Sequence, residues 1–399
     1  MLNIGLIREG KTPADNRVAL TPAQCRFLHT YYPDIRITVQ TAEVRCYPDR
    51  DYLQAGIEVR EDLSDCEVLL GIKEVPSDQL IPGKTYLFFS HTKKAQSYNR
   101  QMMKAIIQKK ITLIDFECLT HEDGQRILGF GFFAGIVGAH NGMMAYGRRT
   151  GLFHLDRVFE QNDYRNLIHT YFGLKLPNIK IAVTGSGRVA HGIVEVMNLM
   201  GIHEVDPFDY LHKNYEYPVY VELKGRDLFS RIDDGTYNRD DFHTHPNLYK
   251  CHFAPFTKVS DILINGVYWD KNIPHLFSVG DFKEPAFRIQ TIADITDDYH
   301  GSVPVNIGES TISEPFYGVD RNTLERTTPF LPDSVDLMAV SNLPNELPKD
   351  ASRYFGEQLI KFVLGDLAKG SPIIDRATIV KEGKLTALYE YLKGYAEGR

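Results

Sequence analysis

Lys73 and Glu74 follow directly on an apolar run that ends at Ile72, and His91 follows directly on another, Thr85 to Phe89. A lysine, a glutamate and a histidine at the ends of neighbouring strands are competent for proton transfer. Histidine titrates near neutrality, and a partly buried lysine beside other cations loses enough basicity to act as a base. Arg8, Glu9 and Arg17 stand after an earlier strand pattern, in LIREGKTPADNRVALTP. Lys94, one helical turn beyond His91, and Arg126, ahead of the apolar Ile127-Leu128, are cations placed to meet a substrate carboxylate. The rest of that basic run (Lys93, Arg100, Lys104, Lys109, Lys110) reads as a solvated helix face. Glu117 ends a further strand pattern, where a carboxylate tunes a nearby lysine or histidine through its charge. Taken singly, each of these is a solvated loop residue. Chemistry is indicated by their company with a dinucleotide signature.

That signature lies in Lys180 to Leu199, KIAVTGSGRVAHGIVEVMNL. A β-branched run, Ile181 to Thr184, leads into Gly185-Ser186-Gly187-Arg188-Val189-Ala190, which fits G-x-G-x-x-G/A, and an apolar-periodic helix follows. The first glycine permits a tight turn and the second lets backbone approach a pyrophosphate. The helix N-terminus then offers free N–H groups to the phosphates. Asp206 lies 21 positions after Gly185, at the end of the expected second strand, His203 to Val205. An acid there accepts hydrogen bonds from the ribose hydroxyls, and no adjacent Arg offers itself to a 2′-phosphate, which leans toward NAD. Asp294 ends a later strand of the same sheet, Thr291 to Asp294.

These residues need elements to hold them. The first part of the chain alternates strands (Ile4 to Ile7, Arg36 to Val39, Glu67 to Ile72, Thr85 to Phe89, Ile111 to Phe116) with helices, one starting near Thr21-Pro22 and one spanning Ala95 to Lys110. Alternation of this kind predicts a parallel α/β sheet, and loops at the carboxyl ends of such strands are where ligands bind. Phe132 to Leu152 is small-residue-rich and free of proline, and predicts a long helix connecting two domains. Ile262 to Asn265 is another strand of the second sheet, and Tyr210 to Lys250 reads as an insertion. After Pro315 come a strand, a proline-rich passage and an amphipathic helix, Ala351 to Leu367, expected to return to the first domain. The expected fold is therefore α/β, two Rossmann-like domains with parallel sheets and a cleft between them: residues 1–134 plus about 315–399 for substrate, and 135–314 for the dinucleotide.

With 399 residues, 43% of them hydrophobic and 24% charged, the chain can bury two sizeable cores. Its net charge of −7 argues against nucleic acid as a partner, and no apolar run approaches a membrane span. Five scattered cysteines without a C-x-x-C pair suit reduced thiols. With Met1-Leu2-Asn3-Ile4 opening straight into a strand pattern, they lead us to expect a cytoplasmic location. His243, His245, His252 and His275 have no Cys or carboxylate at ligand spacing, so no metal is expected.

GLIREGKTPADNRVALTP, LLGIKEVP and FFSH resemble the substrate-domain motifs of the alanine dehydrogenase, transhydrogenase and saccharopine dehydrogenase superfamily. FFSHTKKAQ, LIDFE, ILGFGFFAGIVGAHNGM, LINGVYW, the ADIT passage and SNLPNELP resemble its lysine–2-oxoglutarate reductase type, which in animals and plants forms the N-terminal half of a bifunctional protein. The resemblance implies an oxidoreductase with NAD(H) or NADP(H) that joins the lysine ε-amine to 2-oxoglutarate and reduces the imine to saccharopine, reversibly. It implies Lys73 as the acid–base at the amine and His91 as the one at the carbonyl-derived oxygen. Glu74 and Glu117 tune these two, and Arg17, Lys94 and Arg126 receive substrate carboxylates. Two alternatives are an alanine dehydrogenase-like deaminase of a small amino acid and a nicotinamide-binding regulator without turnover. The several cations favour the tricarboxylate product over the first, and the presence of both Lys73 and His91 speaks against the second.

Overall fold

The computed structural model describes residues 2–398. The chain runs through β1 (Leu2–Leu6), β2 (Ile35–Gln40), β3 (Glu58–Arg60), β4 (Val68–Leu70), β5 (Thr85–Phe88) and β6 (Thr112–Asp115). It continues through β7 (Lys180–Thr184), β8 (His203–Glu204), β9 (Val219–Leu223), β10 (Phe229–Arg231), β11 (Tyr249–Cys251), β12 (Ile262–Asn265) and β13 (Thr291–Asp294). The last strands are β14 (Phe316–Asp320), β15 (Arg326–Thr327), β16 (Ser334–Met338), β17 (Thr378–Lys381) and β18 (Lys384–Leu385). Two compact units result, one of Met1–Phe130 with Pro348–Arg399, the other of Gly131–Leu347.

The first unit holds an eight-stranded sheet in the order β18-β17-β6-β5-β4-β1-β2-β3. Strands β1 to β6 pair in parallel, and β17 and β18 add an antiparallel edge. All three residues of β4 are buried, as a central strand covered on both faces requires. The helix Pro22–Tyr31 starts with proline in its first turn and a capping box between Thr21 and Gln24. Gln24 Nε2 also donates to the Arg353 carbonyl at 2.8 Å, and Val18 N to Ser352 Oγ at 2.9 Å, which ties the returning helix Pro348–Leu359 to this unit.

The second unit holds the order β15-β14-β16-β13-β12-β7-β9-β8, parallel from β8 to β16 and antiparallel at β14 and β15. The helix Gly131–Thr150 belongs to this unit from its first residue and packs on the helix Arg188–Leu199. Backbones meet there: a Cβ on Gly135 would lie 2.0 Å from the Val189 carbonyl oxygen, and one on Gly192 2.0 Å from that of Phe132. Among the described residues no helix is long and apolar enough to cross a membrane.

Three expectations change. Residues 315–347 join the second unit, because β14 pairs with β16 and β16, buried at all five positions, extends the sheet beyond β13. The helix expected from Ala95 begins at Arg100: Ala95 adopts a left-handed φ of 53° and its N–H closes a turn onto Thr92, so the chain reverses first. The segment 210–250 is only partly an insertion. It contains β9, fully inside the sheet beside β7, and only then the β10–β11 ribbon, built on Phe229, Phe242 and Tyr249.

Candidate active site

In the first sheet the strand order reverses at β1, which has β2 on one side and β4 on the other. Loops leaving the carboxyl ends of β1, β4 and β5 therefore gather at a topological switch point, the position where open α/β sheets bind ligands. Glu74, after β4, is the hub. Its Oε1 lies 2.7 Å from His91 Nδ1 and accepts from Asn99 Nδ2 at 3.2 Å, while Oε2 accepts from the Lys11 amine at 3.0 Å. A carboxylate only accepts, so the His91 ring carries its proton on Nδ1 and leaves Nε2 as the unprotonated ring nitrogen. Burial pushes the Glu74 carboxyl up, but the hydrogen bond and charge of His91, with the Lys11 amine, outweigh it and hold the group well below the usual carboxylate range.

Lys73 stands beside this pair. Its amine makes no hydrogen bond or ion pair among the described residues and is pushed down to about 8, by burial first and then by the Arg17 guanidinium. Glu9 fixes its backbone, with Oε1 and Oε2 accepting the N–H groups of Ile72 (2.6 Å) and Lys73 (2.8 Å). Burial and the Asp15 charge push the Glu9 carboxyl up to about 8. Arg17 is buried with its fork on Asp15 (Nε–Oδ1 2.9 Å, Nη2–Oδ2 2.5 Å) and stacks over the Phe130 ring at 4.3 Å. Burial pushes the Asp15 carboxyl up, and the charge and hydrogen bonds of Arg17 bring it below its ordinary value.

The other first-unit residues sit further out. Glu117 forms an ion pair with Arg126, and among the described residues it makes no hydrogen bond or ion pair with Lys73 or His91. Lys94 is exposed and makes no ion pair among the described residues. A second carboxylate, Asp115 at the end of β6, accepts from the hydroxyl and N–H of Ser90, the residue before His91.

In the second unit the sheet reverses at β7, and the glycine turn leaves its carboxyl end. Gly185 takes a φ of 112°, and a Cβ there would meet the Gly266 carbonyl oxygen at 2.6 Å, so only glycine fits. Ser186 is exposed, Gly187 precedes the helix Arg188–Leu199 without a side-chain cap, and a Cβ on Gly187 would meet nothing within 4 Å. Arg188 and Val189 open that helix, and the start of a helix without a side-chain cap, over an open floor at Gly187, fits the pyrophosphate of a dinucleotide.

Two expected cofactor residues do other work. Asp206 follows β8, which is the sheet's edge and touches β9 rather than β7; its carboxylate accepts from Phe208 N at 2.8 Å and caps the helix Pro207–His212. The strand beside β7 is β9, ending in Glu222-Leu223 before Lys224-Gly225-Arg226, with Glu222 ion-paired to Lys224. Asp294 is fully buried, its two oxygens accepting from Asn265 and Asn306, each at 2.8 Å. Burial pushes its carboxyl up to about 6 against those bonds. Since Asn265 Oδ1 accepts from Thr184 Oγ1 at 2.6 Å, this network underpins the residue just before Gly185.

The histidines are engaged one by one: His252 with Ser230, His245 with Asp241, His275 with the Gly301 carbonyl, while His243 is exposed. No group of three or more His, Cys, Asp or Glu among the described residues is arranged to hold a metal. Lys11, Asp15, Asn99, Asn265 and Lys224 went unnoticed in the sequence. Asp15 and Lys11 share the first loop with Arg17, which was the available signal; Asn99 and Asn265 carry none.

Residues 5–137 match the family described as alanine dehydrogenase/PNT, N-terminal domain. The chain is 30% identical to the alpha-aminoadipic semialdehyde synthase of Arabidopsis thaliana over 98% of its own length and 41% of that protein's. It is 25% identical to the saccharopine dehydrogenase (NAD(+), L-lysine-forming) of Emericella nidulans, covering 90% of each. The chain spans less than half the length of the first curated relatives it matches. A solved L-alanine dehydrogenase superposes with a TM-score of 0.67 at 16% identity, covering 99% of this chain and 100% of that one, and shares the fold.

Proposed function

We propose, on the premise that this chain belongs to the alanine dehydrogenase, transhydrogenase and saccharopine dehydrogenase superfamily, that it is a saccharopine-type oxidoreductase. It joins the ε-amine of lysine to 2-oxoglutarate and reduces the product, or runs the reverse. The observation that carries the reading is the pairing of an unbonded Lys73 amine, pushed down to about 8, with Glu74 at the same strand end and His91, bonded to Glu74, at the next. Lys73 exchanges protons with the substrate nitrogen. His91 Nε2 exchanges them with the oxygen that leaves as water, and Glu74 fixes the ring tautomer that makes this possible. Saccharopine carries three carboxylates, and the cations Arg17, Lys94 and Arg126 are assigned to them. Lys94 is unpaired among the described residues, Arg126 would share its donors with Glu117, and Arg17 would use the donors that Asp15 leaves free.

A nicotinamide cofactor, when bound, supplies or accepts the hydride. Gly185, Ser186, Gly187, Arg188 and Val189 would cradle its phosphates, and Lys224 with Arg226, at the end of the strand beside β7, would receive a 2′-phosphate. NADP(H) is therefore the favoured cofactor.

The test is oxidation of each reduced cofactor by the purified chain with lysine plus 2-oxoglutarate, against pyruvate plus ammonia. Turnover with lysine supports the proposal. Turnover only with pyruvate and ammonia makes the protein a deaminase of small amino acids, and no turnover with either pair removes the enzymatic reading.

A further inference from the structure

Asn99 stands at the position that precedes the helix Arg100–Gln108, where an asparagine side chain ordinarily accepts an N–H of its own first turn. It makes no such bond. The side chain is buried, at 7% exposure, and turns the other way: Nδ2 donates to Glu74 Oε1 at 3.2 Å and to the Ser90 carbonyl at 2.9 Å. Both targets are acceptors, so only an amide nitrogen satisfies them. The helix start forgoes its cap, and the donor goes to the oxygen that also receives His91 Nδ1.

The intervening loop is held by other bonds as well. Ser90 is fixed by Asp115, the Tyr391 hydroxyl donates to the Lys93 carbonyl at 2.8 Å, and the Tyr395 hydroxyl donates to the Gln96 carbonyl at 2.7 Å. Among the described residues, what Asn99 supplies is the side-chain link from the Glu74 carboxylate to the main chain just before His91. His91 itself holds a left-handed φ of 48°, uncommon for a residue with a side chain, so its ring direction needs support from both flanks.

We propose that Asn99 is a positioning residue for the Glu74–His91 pair: its amide locks the carboxylate so that Oε1 holds the imidazole with Nε2 aimed at substrate. The inference rests on the catalytic role proposed above for His91, but its structural half can be tested without turnover.

The experiment uses Asn99→Asp, which keeps size but sets an acceptor against two acceptors, and Asn99→Ala, which simply removes the donor. Histidine-labelled protein is observed by nitrogen NMR, with the His91 signals assigned from His91→Gln. Wild type should show a downfield Nδ1 proton held against the carboxylate. In both variants that signal should broaden or disappear. Turnover should fall roughly tenfold in kcat, with cofactor KM unchanged. A folded Asn99→Ala protein that keeps the His91 Nδ1 signal overturns the proposal, as does a rate loss that merely tracks lost thermal stability. If wild type fails to turn over lysine while the NMR signal responds to Asn99, the positioning role stands and the assigned reaction falls.

Discussion

Glu74 Oε1 lies 2.7 Å from His91 Nδ1 while Oε2 of the same carboxylate accepts from the Lys11 amine at 3.0 Å. One buried anion thus orients the imidazole and holds a cation at the mouth of the first loop. Glu74→Gln keeps the shape and removes the charge, and kcat is expected to fall by about 10–100-fold, part of the effect of a positioned acid–base group. The carboxyl titrates well below its ordinary 4.5 in the folded chain. Its contribution to stability is therefore full above about 4.5 and is lost as pH falls toward the folded value. Thermal melts on either side of about pH 4.5 should show wild type losing more stability on acidification than Glu74→Gln.

Lys73 works in the opposite sense. Its amine titrates at about 8 in the folded chain against 10.5 in an ordinary setting. Between these values the unfolded chain binds the extra proton, so stability rises with pH across that window and the penalty is full below about 8. Lys73→Met removes a half-buried cation and should stabilise the protein near neutrality by roughly 1–3 kcal/mol, seen as a melting temperature several degrees higher. The same variant should lose turnover while binding cofactor normally. In the direction that cleaves saccharopine, wild-type kcat/KM should climb to a plateau above about pH 8, and that limb should be missing in whatever activity Lys73→Met retains. A destabilised Lys73→Met would show that the amine is an ordinary structural cation.

The strand ends carrying Lys73 and His91 were legible because a buried parallel strand has a continuous apolar run, and the first charged residue after it marks the carboxyl edge. The glycine turn was legible because Gly185 has to accept a backbone conformation and a contact that no side chain tolerates. Asp206 comes at the end of an edge strand because spacing along the chain does not determine which strand lies beside β7. Parallel neighbours are chosen by long-range pairing, and β9 takes the inner place while β8 is left at the edge. Asn99 was invisible for another reason: it falls inside the run that reads as a helix from Ala95 to Lys110, and only the fold shows the helix starting after it, with the side chain turned to Glu74. Residues 315–347 were assigned to the wrong unit because a strand pattern does not tell which of two similar sheets it extends.

The place of β9 leads to a test of cofactor choice. Lys224 and Arg226 follow the strand next to the glycine turn, and Glu222, the acid available to a ribose, is ion-paired with Lys224. The double variant Lys224→Ala with Arg226→Ala should weaken NADPH by about 10–100-fold, the scale of one or two charge-assisted hydrogen bonds, and leave NADH within twofold or so. Asp206→Ala should leave both affinities alone and cost about 0.5–2 kcal/mol at the helix it caps. Titration of cofactor fluorescence decides the matter. Equal weakening of both cofactors by the double variant would place the pair on the shared pyrophosphate instead.

The second unit depends on two helices approaching at backbone distance. A Cβ on Gly135 would lie 2.0 Å from the Val189 carbonyl oxygen and 2.9 Å from Gly192 Cα, and a Cβ on Gly192 would meet the Phe132 carbonyl oxygen at 2.0 Å. Neither obstacle is a flexible side chain, so relief requires one helix to move off the other. Alanine is the better helix former by about 1 kcal/mol, yet that gain is small against the overpacking, which costs typically 1–3 kcal/mol and more where backbone must shift. Gly135→Ala and Gly192→Ala are each expected to lower the midpoint of chemical unfolding. Displacement of the helix Arg188–Leu199 also moves the N–H groups behind the glycine turn, so cofactor affinity should drop with stability. Gly365→Ala is the control: a Cβ there meets nothing within 4 Å, and the helical position should tolerate or gain from it. Equal behaviour of all three variants would mean that the helix pair has room to spare.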